Sequence, residues 1–324
     1  MGLERVIKSR RVYALFLLPF LLAGVAVARR YAGGELLPCG EGGIIPLPFI
    51  ERFQGSQWLS WAGLSWLLLL SYSLFFMADH YKMLPGTTSL PAVIYALLGV
   101  GIFCRHGASA YMVAALLVAV ALARLHASIT RLKSNASIFD FGLLIAMAVL
   151  LCPKLVLLAP WAILVLPFSG RSTFKDMTAL FLGFFVALLF VFACFFLFGG
   201  WEGLPGRFAD ASRVGEWLDY RLSPLQWVAT ALLLVLALVS VVHALVHTSS
   251  SIVSRRRGLL AVVSLLLVLG ATIFFVPLGC PAFLFVLFIP LSFLYARYFI
   301  SYQGRWLGNT LFLLLLVASL FMVV

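Results

Sequence analysis

The sequence contains few charged residues. Only 10% of its 324 residues are Asp, Glu, Lys or Arg, whereas 64% are hydrophobic. Soluble domains carry about 25% charged residues, so a water-soluble fold is excluded, because no core could take up this much apolar surface. The apolar residues form long unbroken runs rather than the alternating pattern of a membrane barrel, which predicts an all-α membrane protein.

Acidic residues are scarcer than basic ones, at 11 against 23, and the net charge is +12. In a soluble protein such an excess would suggest a nucleic-acid partner. Here the basic residues lie between apolar runs, so we expect no nucleic acid and instead expect contact with membrane lipids.

Motifs for nucleotide, metal or nucleophilic chemistry are missing: no Walker, GxGxxG, HExxH or GxSxG element occurs, and the five cysteines form no CxxC pair. His243 and His247 share a helix face and could bind a metal together with His80 or His126. No Glu or Cys completes a known pattern, so a polar interfacial face is the better interpretation. We therefore predict no metal and no cofactor.

Eleven apolar runs predict about eleven transmembrane helices in a single membrane domain, residues 1–324. The runs are 12–28, 58–78, 91–104, 109–123, 138–152, 155–168, 177–198, 224–247, 258–276, 281–296 and 309–324. Two long loops separate some of them, and in the second loop Phe208, Ala211, Val214, Leu218 and Leu222 recur at helical spacing. This spacing predicts an amphipathic helix lying on the membrane surface.

The basic residues also predict the orientation. With a cytoplasmic N-terminus, most of them fall in inside segments, as the positive-inside rule requires. Both long loops and the Pro153 hinge then lie on the outer side of a bacterial inner membrane. The first run also has the layout of a signal peptide, ending in Ala26-Val27-Ala28, but Arg29 and Arg30 follow at once and favour an uncleaved helix.

The central stretch, residues 131–168, consists of two apolar runs hinged at Pro153. Neither run reaches the roughly 20 residues that comfortably span a bilayer, so together they predict a tight hairpin. The stretch resembles an uncharacterised family of polytopic Gram-negative inner-membrane proteins, whose members are often mislabelled as beta-carotene monooxygenases. The resemblance covers about residues 58–190, and the residues that carry it are Leu84, Pro85, Ser89, Leu90, Pro91, Ala92, Tyr95, Asn135, Phe139, Asp140, Gly142, Pro153, Trp161, Arg171 and Lys175. It implies an inner-membrane location and no established activity.

A looser resemblance is to membrane glycosyltransferases that use lipid-linked sugars, which carry a catalytic acid in a long first outer loop. Glu35, Glu41 and Glu51 occupy that loop here. However, no paired acidic motif occurs in it, and the large soluble domain of those enzymes is missing.

Asp140 is the only acid well inside an apolar run, which makes it a functional candidate. The spacing Ser137 to Asp140 is also that of a capping box, so the favoured interpretation is a helix cap.

The predicted outer face collects acids and bases that could meet above the hinge. They are Glu35, Glu41, Glu51, Arg105, His106, Lys154, Glu202 and Arg207. Arg and Lys suit a lipid phosphate such as polyprenyl phosphate, and a Glu could act as base on a glycan hydroxyl. We therefore take Glu35, Glu41, Arg105, Lys154 and Arg207 as candidates, beside an ordinary hydrated surface. The main expectation is an accessory or scaffold protein of envelope biogenesis; the alternatives are a transferase or carrier for polyprenyl-linked glycans and, third, a small-molecule transporter.

Overall fold

The computed structural model describes residues 13–31, 44–45, 57–84, 86, 88–130, 135–197, 203, 206, 224–246, 253–275, 281–301 and 313–315. Within these ranges the chain is helical and contains no strand. The helices are α1 Tyr13–Tyr31, α2 Gln57–His80, α3 Leu90–His106, α4 Ala110–Thr130, α5 Asn135–Leu151, α6 Leu158–Phe168, α7 Phe174–Leu197, α8 Pro224–Val246, α9 Val253–Phe275 and α10 Leu284–Ser301, with single 3-10 turns at Pro153–Leu155 and Pro281–Phe283.

Six of the described helices are long and apolar enough to cross a membrane: α2, α4, α7, α8, α9 and the segment Pro281–Ser301 that contains α10. Shorter apolar helices occur at Leu90–Cys104, Asn135–Leu151 and Pro153–Phe168. This pattern supports a multi-pass helical membrane protein. The number of eleven spans and their orientation stay predictions, and the predicted amphipathic helix at 208–222 lies outside the described residues.

Helix α4 is longer than the apolar run predicts. It continues past Arg124 to Thr130, whereas the run was expected to end at Ala123. The extension is possible because His126 and Ser128 are buried against neighbouring helices and Arg124 pairs with a carboxylate on α5. Polar residues that find partners do not end a helix, even in an apolar setting.

The centre of the bundle is α10, which packs against α3, α4, α8 and α9. Aromatic side chains fill this centre, and two of them close polar gaps between helices. The hydroxyl of Tyr95 donates to Phe285 O at 3.1 Å, and that of Tyr295 donates to Leu233 O at 2.7 Å. Both tyrosines are fully buried, so each buried hydroxyl has the partner that an apolar interior demands.

Helices α5 and α7 cross with their backbones in close contact, because glycines stand at the crossing. A Cβ on Gly142 would lie 2.6 Å from Leu180 O, and one on Gly183 would collide with Phe139 O on α5. Small residues at such crossings let membrane helices approach closely enough for extensive packing.

The hinge predicted at Pro153 is present between α5 and α6. Helix α5 ends at Leu151, the 3-10 turn begins at Pro153, and Leu155 N–H donates to Cys152 O at 2.9 Å. Two residues of the first long loop, Ile44 and Ile45, pack beside this tip, where Ile45 N–H donates to Leu150 O at 3.4 Å. The hairpin returns to the end of the bundle at which α4 finishes.

Candidate functional site: a basic pocket at one end of the bundle

A partly open pocket of about 380 Å³ lies where α2, α4, α9 and α10 meet. Its walls come from the end of α2, the turn after it, the last turns of α4, the first turns of α9 and the second half of α10. The polar lining residues are His80, Tyr81, Lys82, His126, Thr130, Ser254, Arg255 and Arg297. The pocket lies at the end of the bundle that the charge bias assigns to the cytoplasm, opposite the predicted outer face.

Lys82 reaches the pocket from a strained backbone position. Its φ is 47°, the left-handed region that glycine normally occupies after a helix. The turn closes helix α2, since Lys82 N–H donates to Asp79 O at 3.3 Å and Met83 N–H donates to Ala78 O at 3.2 Å. A lysine therefore stands where glycine would fit better, and such strain is found preferentially at functional sites.

Arg297 lies in the wall of the pocket on α10. Its side chain is only 7% exposed, and within the described part of the chain it has no hydrogen bond and no ion pair. Arg255 on α9 lines the same pocket. Two cations that line one cavity, with no carboxylate among its described lining residues, form a region of strong positive potential.

The first turn of α9 adds to this potential. Its N–H groups point toward the N-terminal end of the helix, where the helix dipole is positive, and no acidic residue in that turn offsets it. Ser254 and Arg255 of this turn line the pocket. The arrangement is that of an anion-binding helix end with added cationic side chains.

His126 fixes the distance between α4 and α9. Its ring nitrogen Nδ1 lies 2.9 Å from Leu122 O; because a carbonyl only accepts, Nδ1 carries a proton. The Nε2 atom faces Gly258, where an added Cβ would lie 2.6 Å from it. Glycine at this position therefore lets the imidazole form part of the pocket wall.

The pocket also has an apolar floor. Buried side chains supply it, among them Ile129, Leu259, Val262 and Phe293. No acidic residue lines the pocket among the residues that the structure describes. Basic walls above an apolar floor suit a ligand with an anionic group and an apolar or neutral body.

A buried ion pair at the same end of the bundle holds the surrounding helices. Arg171 donates through Nε and Nη2 to Ser128 O of α4, at 3.1 and 2.8 Å. Its Nη1 lies 3.6 Å from Asp176 Oδ1 on α7. Thr173 Oγ1 donates to Asp176 Oδ2 at 2.7 Å and accepts from Asp176 N–H at 3.3 Å. Thr173 therefore caps the start of α7, because its Oγ1 accepts from the N–H of Asp176.

The cap predicted at Asp140 is wrong. Helix α5 already includes Asn135, so Ser137 lies inside the helix and Asp140 lies beyond its first turn. The carboxylate instead pairs with Arg124 Nε of α4 at 3.5 Å, in a half-exposed position. A Ser-x-x-Asp spacing alone does not say where a helix begins, and α5 already includes Asn135, upstream of Ser137.

The other predicted site residues are not brought together by the described structure. Glu35, Glu41 and Arg207 lie outside the described residues, and of Arg105 only the backbone, in the last turn of α3, is described. Lys154 is half-buried in the 3-10 turn and has no hydrogen bond or ion pair with the described residues. It lies beyond the far end of α5 from Asp140, so these two candidates cannot share a site.

Arg297 and Asp176 were not predicted as site residues, although a pattern in the sequence indicates each of them. Arg297 interrupts an apolar run that continues as Tyr298, Phe299 and Ile300, and a charge within a span is a functional candidate. It was instead taken as the residue that ends the span. Asp176 had the signal of a Thr-x-x-Asp spacing directly before an apolar run.

Comparison with known proteins agrees with the predicted uncharacterised family. No curated protein and no solved structure matches the chain. The sequence model of the family of unknown function DUF6427 matches residues 48–324, and the chain belongs to that family.

Proposed function

We propose that the protein is a multi-pass component of the bacterial inner membrane that serves envelope biogenesis as an accessory or scaffold, by binding rather than by catalysis. The observation that supports this best is the filled centre of the bundle. Tyr95, Phe141, Phe283, Phe285 and Tyr295 are almost completely buried there, and the two tyrosine hydroxyls are used by backbone carbonyls.

Two of the three described acids support the same proposal, the third being Asp79, which is exposed near the end of α2. Asp140 and Asp176 are both engaged in ion pairs that join helices, which leaves them structural roles. By contrast, α7 and α8 expose wide apolar faces, including Phe181, Phe185 and Leu238. Such faces suit contact with lipid or with the helices of another membrane protein.

Complementation of a deletion strain tests this proposal. The measurement is sensitivity of the cell envelope to detergent, with expression of every variant checked in membranes. We expect deletion to increase sensitivity and the variants Glu35→Gln, Glu41→Gln and Asp140→Asn to restore resistance as the parent does. An amide in place of a catalytic carboxylate would abolish proton transfer, whereas a scaffold tolerates it.

Two results would contradict the proposal. One is an unchanged envelope in the deletion strain. The other is a well-expressed Glu35→Gln or Glu41→Gln protein that fails to complement, which would favour the alternative of a transferase acting on polyprenyl-linked glycans.

A further inference from the structure

We propose that the pocket between α2, α4, α9 and α10 is a binding site for a phosphate group, either the headgroup of a lipid or a soluble phosphate ester, held by Arg297, Arg255 and Lys82. The proposal concerns a site at the opposite end of the bundle from the predicted glycan candidates. It goes beyond the scaffold function and stands or falls separately from it.

The pocket carries an excess of positive charge. Lys82, Arg255 and Arg297 line one cavity, and no acidic side chain lines it among the described residues. An unpaired cation is costly to bury, yet Arg297 is 93% buried by solvent-accessible area, being 7% exposed. A bound anion supplies the missing partner.

The other buried arginine at this end of the bundle does have partners. At the same end of the bundle, Arg171 is equally buried, but it has Asp176 and the carbonyl of Ser128 as partners. The fold therefore neutralises one buried arginine internally and leaves the other facing a cavity. This difference points to a ligand for Arg297 rather than to a general tolerance of buried charge.

The hydrogen-bond donors around the pocket favour an anion with several oxygen atoms. A guanidinium group can donate two parallel hydrogen bonds to two phosphate oxygens. The free N–H groups of the first turn of α9 add donors on the same side. A phosphate suits this set better than a halide, since it offers several oxygens to donors that come from α9, α10 and the turn after α2. The apolar floor, which includes Leu259 and Phe293, accommodates the esterified part.

Calorimetry on the full-length protein in a non-ionic detergent tests the proposal with three probes. Dioctanoyl phosphatidic acid carries both phosphate and acyl chains, glycerol 3-phosphate carries phosphate alone, and dioctanoylglycerol carries acyl chains alone. We expect at least one phosphate probe to bind the parent at least tenfold more tightly than dioctanoylglycerol. Binding of phosphatidic acid alone identifies a lipid headgroup, whereas equal binding of glycerol 3-phosphate identifies a soluble phosphate ester.

Variants then assign the site. Arg297→Met keeps an unbranched apolar stem but removes the charged guanidinium, and we expect it to weaken phosphate binding at least tenfold, while Arg297→Lys retains most of the affinity. The control is Arg256→Gln, which removes the same charge from an exposed position that does not line the pocket; its affinity should stay within twofold of the parent. Thermal unfolding of each variant establishes that it is folded.

Two outcomes would overturn the proposal. In the first, neither phosphate probe binds the parent better than dioctanoylglycerol. In the second, folded Arg297→Met and Arg256→Gln proteins lose affinity equally, which would indicate general attraction to a basic surface instead of a site.

Discussion

The two Arg–Asp ion pairs at the basic end of the bundle provide a matched test of how burial sets the value of a charge. Their distances are nearly equal, 3.5 Å for Arg124–Asp140 and 3.6 Å for Arg171–Asp176. Their side-chain exposures differ strongly, at 49% and 40% for the first pair against 7% and 1% for the second. We expect Asp176→Asn to destabilise the protein far more than Asp140→Asn.

The expected magnitudes follow from solvation. Removing one member of a buried pair typically costs about 3–5 kcal/mol, because it leaves the other charge uncompensated. Arg171 keeps its two hydrogen bonds to Ser128 O, so we expect the lower end, about 3 kcal/mol. An exposed pair contributes about 0.2–1 kcal/mol, so Asp140→Asn should cost less than about 1 kcal/mol.

The assay is reversible unfolding of the detergent-solubilised protein in mixed micelles of increasing SDS content, followed by tryptophan fluorescence. The single variant Arg171→Met and the double variant Asp176→Asn/Arg171→Met complete a cycle that isolates the interaction itself. We expect the double variant to recover part of the stability lost by Asp176→Asn. Equal losses for Asp140→Asn and Asp176→Asn, within about 0.5 kcal/mol, would refute the reasoning that burial governs these pairs.

Three further predictions concern backbone geometry and topology. Lys82→Gly should leave the free energy of unfolding unchanged or raise it by up to about 1 kcal/mol, because glycine relieves the left-handed strain. It should also weaken phosphate binding. A large loss of stability in SDS unfolding would show that the turn is not strained. Gly183→Ala should cost about 1–3 kcal/mol of stability in the same assay. The control is Gly270→Ala, where an added Cβ meets nothing within 4 Å, and this variant should be neutral or slightly stabilising. Similar values for the two variants would contradict the close crossing of α5 and α7. Phosphatase and fluorescent-protein fusions after Lys133 and after Arg257 should report the cytoplasm, and a periplasmic signal after Arg257 would invalidate the predicted orientation.

The course of the chain was predictable from the sequence because apolar runs of this length leave few alternatives to helices. The Pro153 hinge was also predictable, since proline lacks the N–H that a continuing helix needs. The ends of helices were less predictable. The extension of α4 to Thr130 depends on partners that come from other elements, since Asp140 of α5 pairs with Arg124 and Arg171 donates to Ser128 O.

The pocket was not predictable from the sequence. Lys82, His126, Arg255 and Arg297 come from four separate segments, and only the packing of the helices brings them together. From the sequence, charged residues can be grouped only by predicted membrane side. Such a grouping identifies residues on one surface, but it contains no information about which of them share a cavity.

Both legs of the α5–α6 hairpin finish at the same end of the bundle, because Arg171 after α6 contacts Ser128, which precedes α5. The hairpin therefore contributes an even number of crossings, two or none. Its α5 leg of 17 residues measures about 25 Å, close to the roughly 30 Å of a hydrocarbon core. Because the number of crossings is even in either case, the membrane side on which α7 to α10 begin and end does not depend on how deep the tip reaches. Insertions or deletions in the hairpin would change how far Pro153 extends, but not which face of the membrane holds the basic pocket.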